Sequence, residues 1–325
     1  MSSLPPRHLL IPYAAPDAPA CRQALAALHL PNLEALLSKL VLQHDDRQPA
    51  DTLSPPHERA LAAALGIAAP DGCIPWAALE ARRRQLGPTE AGESWGFVTL
   101  CHWQVGMDSV RLGDPASIEI DAAESDALLA AARPFFEEDG IALHPGSTPG
   151  RWLACGPVFD ALPTASIDRA VEGPLAQWMP DSEAARPLRR LQNEMQMLLY
   201  TQRVNDDRAA RGAVAINSFW LSGTGHLPTT HVAVDDTAAP LPTVVDSLRG
   251  PALGDDGAAW AAAWAALDCG PVAALRAAQA DGAEVMLTLC GDRAAQRWVA
   301  RPRGLASWAR GLLQRAPAIR TLEAL

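Results

Sequence analysis

The sequence predicts an α/β protein built from two domains. Three observations carry this. At 325 residues the chain is long enough for about two domains. Apolar residues recur at helical spacing in several runs, for example Leu188, Leu191, Met195 and Leu199, so one face of each helix is buried. Between such runs lie short stretches rich in β-branched and aromatic residues, among them HLLIPY, WGFVTLCHW and EVMLTL, which read as strands.

Taken in order, residues 7–13 form a buried strand and 18–29 a helix. A second helix starts at Pro31, with Leu33, Leu36, Leu37 and Leu40 on one face. Residues 43–56 are polar and contain prolines, so a loop is expected. Helices follow at 58–65, closed by Gly66, and at 75–84; residues 88–94 read as a linker. Strand-like segments occupy 95–103, 105–112 and 117–120. Asp121 caps a helix over 122–136, and 141–143 and 151–154 are further strands. The helix from Leu188 gives way near Thr201 to a polar loop, Val204-Asn205-Asp206-Asp207-Arg208. A short strand is placed at 214–216, and Asn217, Gly223 and Gly225 close the stretch. Residues 258–280 form an alanine-rich helix with a break expected at Gly270-Pro271. Residues 284–289 are a buried strand ending at Cys290-Gly291-Asp292-Arg293.

Asn205, Arg208 and Asn217, on loops beside the turn at Gly212, are the parts needed to hold an anion such as a phosphate. His57 opens a helix, where it serves as a hydrogen-bonding group or as a general base. His226, His231, Asp235 and Asp236 are metal-binding residue types, but the His-x4-His spacing fits no standard site. There is no P-loop, no GxGxxG after a strand, no GxSxG and no HExxH. Trp260 and Trp264, four apart, read as packing.

The net charge of −10 argues against broad nucleic-acid binding. The end of the chain differs: from Arg276 onward eight arginines face four acids, and this basic tail reads as a solvated helix or a dock for an anionic partner. The six cysteines, Cys21, Cys73, Cys101, Cys155, Cys269 and Cys290, form no CxxC, which fits reduced thiols in the cytoplasm. No apolar run of membrane-spanning length is read, and the first residues have too short an apolar core for a secretory signal.

The stretch 188–225 resembles the archaeal-type cofactor-independent phosphoglycerate mutases of the alkaline phosphatase superfamily. Asn193, Val204-Asn205-x-x-Arg208, Gly212, Asn217 and Gly223-x-Gly225 match that family's motifs. More similar still is a bacterial branch, the phosphoglycerate-mutase-like regulatory proteins of the RpfE type. Pro55-Pro56-His57-Glu58, Cys101-His102-Trp103, residues 189–200 and residues 217–225 carry that likeness. The resemblance implies an alkaline-phosphatase-like three-layer core, made of residues 1–90 and 215–325, with a smaller inserted α/β domain at 91–214. It implies ligand contacts at Arg151, Asn193, Asn205, Arg208, Asn217, Gly223 and Gly225. Ser54 lies near the family's nucleophile position.

Three departures bear on activity. Where the family's first strand ends in a metal-binding Asp-Gly, this chain has Pro12-Tyr13-Ala14-Ala15. Where its last metal strand ends in Asp-His, this chain has Asp292-Arg293, and arginine cannot lose its proton to ligate. The family's long His-rich metal block is missing between Gly225 and Ala258. The expectation is therefore a catalytically degenerate protein, with both divalent ions lost and no other cofactor, that binds a small phosphorylated ligand or a protein partner. Two alternatives stand beside it: an active mutase or phosphatase rebuilt around Ser54, His57 and Asp292 with His226, His231 and Asp235, and a pure interaction scaffold.

Overall fold

The computed structural model describes residues 7–86, 93–171, 173–227, 241–300 and 317–325. In chain order its elements are β1 (His8–Ala15), α1 (Pro19–Leu25), α2 (Pro31–Leu37), β2 (Leu40–Arg47), α3 (Pro56–Ala64), α4 (Trp76–Arg83), β3 (Trp95–Cys101), β4 (Trp103–Val105) and β5 (Val110–Leu112). Next come α5 (Ala122–Glu138), β6 (Ala142–Pro145), β7 (Arg151–Cys155), α6 (Ile167–Ala170), α7 (Arg186–Tyr200), α8 (Arg203–Ala210), β8 (Ser218–Gly225) and β9 (Thr243–Val244). The chain continues through α9 (Arg249–Leu253), α10 (Gly257–Leu267), α11 (Ala273–Ala280), β10 (Met286–Gly291), β11 (Ala294–Ala300) and α12 (Ala318–Glu323). The fold class is mixed α/β, as the alternation of patterns predicts.

Two compact units share these elements. The described residues of 1–51, 55–67 and 233–325 form one, and those of 52–54 and 68–232 the other. The described residues of 68–90 and 215–232, expected in the discontinuous core, thus lie with the inserted segment. The physical reason is strand pairing: β8 completes the sheet of β3, and α4 packs on the same sheet through Ala77, Ala78 and Ala81.

The first unit holds a five-stranded sheet in the order β2-β11-β10-β1-β9. β1 runs parallel to β10 and β9, while β11 is antiparallel to both β10 and β2. Leu9, Ile11, Leu287 and Leu289 face a core completed by Leu33 and Leu36 of α2, Trp260 and Trp264 of α10, and Leu275 of α11. Leu10 and Cys290 face the other way, onto Ala60 and Leu61 of α3. Strands buried on both faces have no polar alternation, which is why HLLI and MLTL read as continuous apolar runs.

The expected break at Gly270-Pro271 does not occur. α10 and α11 are joined by one π-turn, Asp268–Val272, which absorbs the proline without ending the helix. The turn aims the buried Asp268 carboxylate at the start of α2, where it accepts from the backbone N–H of Asn32 (3.1 Å) and Leu33 (2.7 Å). The joined run, Gly257–Ala280, is long and apolar enough by composition to cross a membrane, contrary to the sequence reading. In the structure its large side chains, Trp260, Trp264, Val272 and Leu275, belong to the core of this unit.

In the second unit an antiparallel sheet, β6-β7-β3-β8, is covered on both faces. Val98, Leu100, Trp152, Phe219 and Leu221 pack with α5 and α7, while Trp95, Phe97 and Leu153 pack with α4. The split follows the period of two along β3 and β7. Four local expectations change. Residues 40–47 are an exposed strand, 203–210 a helix, and the strand near 214 begins only at Ser218. Residues 117–120 form no strand.

Trp264→Phe removes the indole N–H that is bonded to the Ala14 carbonyl (3.1 Å). An unpaired buried acceptor costs about 1–3 kcal/mol, so urea unfolding should show a loss of at least that size. An unchanged midpoint would show that this hydrogen bond does not hold the unit.

Candidate functional site

The parallel pair β1 and β10 ends at a bend. Ile11 pairs with Leu289 and Ala15 with Gly291, so four steps on β1 span two on β10. The excess chain is taken up by Tyr13, whose φ of 54° is left-handed and uncommon for a bulky residue. Two tryptophans of α10 hold the bend: Trp260 Nε1 donates to the Tyr13 carbonyl (3.0 Å) and Trp264 Nε1 to that of Ala14 (3.1 Å). The Tyr13 ring packs against His57 at the start of α3, with centroids 5.4 Å apart. Beyond Gly291, Asp292 Oδ2 accepts from the Asp17 backbone N–H at 2.6 Å. The Asp17 carboxylate is itself shared by Arg22 and Arg293.

Among the described residues no group of three or more His, Cys, Asp or Glu side chains is placed to hold a metal ion. The side chains at this edge are the Tyr13 phenol, the Asp17 and Asp292 carboxylates and the Arg293 guanidinium, which cannot lose its proton to ligate. His226 instead pairs with Asp160 (3.1 Å) in the other unit. His231, Asp235 and Asp236 lie outside the described residues. Of the catalytic candidates, His57 and Asp292 therefore sit at the ends of these strands. Ser54 belongs to the second unit, buried, with its Oγ accepting from Gly72 N–H (2.9 Å) and its own N–H bound to Asp71 (2.9 Å).

The polar motif of the second unit has a definite job. Residues 213–217 belong to no strand, although the Asn217 N–H still donates to the Cys101 carbonyl of β3 (3.2 Å), and backbone groups off the ladder must find other partners. Side chains supply them. Asn205 donates to the carbonyls of Leu199 (2.8 Å) and Ile216 (2.7 Å) and accepts from Ile216 N–H (2.8 Å). Arg208 Nε donates to the Val214 carbonyl (2.7 Å), and its Nη1 to the Glu119 carbonyl (2.9 Å) and the Glu124 carboxylate (2.8 Å). His102 is bonded to the Ala215 carbonyl (2.8 Å), and Asn217 clamps both backbone groups of Trp103 (2.7 and 2.9 Å). Arg208 is only 1 % exposed. The structure thus brings Asn205, Arg208 and Asn217 together, as a brace for the chain.

Gly223 and Gly225 serve the backbone too. Both have positive φ, in an irregular stretch of β8, and a Cβ on Gly223 would sit 2.9 Å from the Phe97 ring. Asn193 is exposed on α7. Arg151 is the partly open guanidinium of the set, 38 % exposed. It is anchored by Glu80 (2.9 Å), lies over Phe97 (4.6 Å to the centroid), and keeps a buried Nε with no hydrogen-bond partner.

Sequence reasoning overlooked Glu124, although Asp121-x-x-Glu124 has capping-box spacing, and the box is formed. Burial alone would raise the Glu124 carboxyl. Hydrogen bonds from Arg211, the Asp121 backbone and Arg208 outweigh it and hold the group below its ordinary 4.5.

No protein-family model matches the chain, and no curated protein matches it significantly. Solved structures do. A cofactor-independent phosphoglycerate mutase from Thermoplasma acidophilum is 15 % identical, with 90 % of this chain and 89 % of that one covered and a TM-score of 0.37. The PH0037 protein of Pyrococcus horikoshii is 13 % identical, with 92 % and 88 % covered and a TM-score of 0.45.

Two outcomes follow from the Arg208 brace. Arg208→Ala removes one of the two guanidinium partners of Glu124 and the donor to the Val214 and Glu119 carbonyls, and should cost about 3–5 kcal/mol in denaturant titrations; an undiminished stability would free Arg208 for another role. Because the folded Glu124 carboxyl is held low, its contribution is complete above 4.5 and is lost as the pH falls below that, through the folded value. The gap in melting temperature between wild type and Glu124→Gln should therefore close on acidification. A gap that is independent of pH would show that the carboxylate's charge is not what matters.

Proposed function

We propose that the chain is a phosphoglycerate-mutase-like protein, of the RpfE-type branch, that has given up phosphoryl transfer and acts in the cytoplasm by binding. Its ligand is a small phosphorylated molecule or a partner protein, and its role is regulatory. Phosphoryl transfer requires the charge on the moving group to be neutralised and a nucleophile to be activated. The observation that carries the reading is the end of β1. Pro12-Tyr13-Ala14-Ala15 stand where the resembling family has its metal-binding Asp-Gly, and two indoles hold the carbonyls of Tyr13 and Ala14. The nearby Asp17 is engaged by Arg22 and Arg293, and Asp292 by the Asp17 backbone. The buried Ser54 hydroxyl serves as a backbone acceptor.

Arg151 supports the ligand half of the reading. Its guanidinium is partly open, and Glu80 and Phe97 hold it in place, as an anion contact requires. Equilibrium dialysis against Mn²⁺ and Zn²⁺, with phosphoglycerate and p-nitrophenyl phosphate as substrates, tests the whole. Neither stoichiometric metal uptake nor turnover is expected, while phosphoglycerate should raise the melting temperature and lose that effect in Arg151→Ala. Two equivalents of metal together with turnover would overturn the reading.

A further inference from the structure

The open edge of the second unit's sheet carries positive charge that the Arg151 contact does not use. β6 is the edge strand, and His144 pairs with Leu153 of β7, so its ring lies on the face covered by α4. Trp95 packs against that ring, with centroids 5.5 Å apart. Two arginines approach it from different elements. Arg84, just past the end of α4, donates from Nη1 to the Pro145 carbonyl, one residue beyond His144. α5 turns tightly into β6, with Ile141 N–H on the Phe136 carbonyl (2.9 Å) and Gly140 at a φ of 70°. That reversal lays the last turns of α5 beside β6 and brings Arg133 within electrostatic reach of the imidazole.

The cations here outnumber their partners. Among the described residues neither Arg84 nor Arg133 forms an ion pair, and both are exposed. The carboxylate that faces His144 is Glu93, and it acts on the ring less than either arginine does. Glu93 also accepts from the Cys155 thiol on the same face; burial and this carboxylate push that thiol up to about 11, so it stays neutral. Glu80 of α4 is engaged by Arg151 and the Ser147 N–H. Burial, then Arg133 and Arg84, hold the His144 imidazole below its ordinary 6.5. Fixed positive potential of this kind draws anions, and guanidiniums match the oxygens of phosphate.

We propose that Arg84, Arg133 and His144 form a binding site for a phosphate dianion at the β6 edge, separate from the Arg151 contact. The two guanidiniums supply permanent charge, and the imidazole adds a third cation once it takes up a proton. A bound dianion favours the protonated ring, so affinity rises as the pH falls through the folded value of His144.

An NMR titration of the full chain tests it, following the His144 ring signals at constant ionic strength set with chloride. The signals are assigned by their loss in His144→Gln. Sulfate keeps two charges throughout the titration, so it serves as the probe. It should raise the imidazole midpoint, and inorganic phosphate should compete with it. Arg133→Gln, which removes no bond within the fold, should weaken sulfate binding at least about tenfold, as the loss of one hydrogen bond to a charged group does. Arg84→Gln should act in the same direction. His144→Gln should keep binding at high pH and lose its increase on acidification. Arg151→Ala should alter none of this. An imidazole midpoint that sulfate does not move, an Arg133→Gln variant that binds as wild type does, or an equal loss in Arg151→Ala would overturn the proposal. Metal uptake, turnover and the response of Arg151→Ala to phosphoglycerate bear on the proposed function alone, so the two can fail separately.

Discussion

The first unit depends on two indole N–H groups donating to successive carbonyls, Trp260 to Tyr13 and Trp264 to Ala14. A strand that bends gives up its ladder, and the freed carbonyls need new donors. Tryptophans four apart on α10 lie one turn above each other and can reach adjacent residues of an extended chain. Their placement fixes where α10 lies, and α10 in turn fixes α1. Gly257 approaches so closely that a Cβ there would sit 2.4 Å from the Ala20 carbonyl oxygen. Asp255 and Asp256 finish the arrangement by capping the starts of α1 and α10.

The second unit solves the same problem with polar side chains. Residues 213–217 belong to no strand, and Asn205, Arg208 and His102 meet the carbonyls of Ile216, Val214 and Ala215. The brace converges on Glu124, which also caps α5. A carboxylate that accepts from two guanidiniums and a backbone N–H is fully compensated for its burial, whereas each partner alone would be costly to bury. A pattern of Asn and Arg that resembles a phosphate site therefore also satisfies the requirements of an irregular backbone.

What was legible in the sequence follows from these two cases. Elements with one buried face declared themselves: α7 through Leu188, Leu191, Met195 and Leu199, and α5 through its Asp121 cap. β1 and β10 were legible as continuous apolar runs. β2 was not, because it is an exposed strand whose LVLQHDDR lacks a buried alternation. α8 was not, because within it only Arg208 is buried and an arginine carries no apolar signal. The same residue shows why the site was harder than the fold: side-chain chemistry states what a group can bond, and only the fold states whether solvent or a carbonyl is there.

The widened turn between α10 and α11 sets a phase. Along this rod the buried large residues are three or four apart, except for Leu267 and Val272, which are five apart. The i→i+5 turn absorbs that extra step, so Trp264 above it and Leu275 below it reach the same core. An α-helix advances about 100° per residue, so losing a single residue from Asp268–Val272 would spin everything downstream by more than a quarter turn. Leu275 would swing off the core, and the carboxylate that begins α2 would go with the lost register. The rod therefore tolerates substitutions at its exposed positions far better than a change of length at this turn.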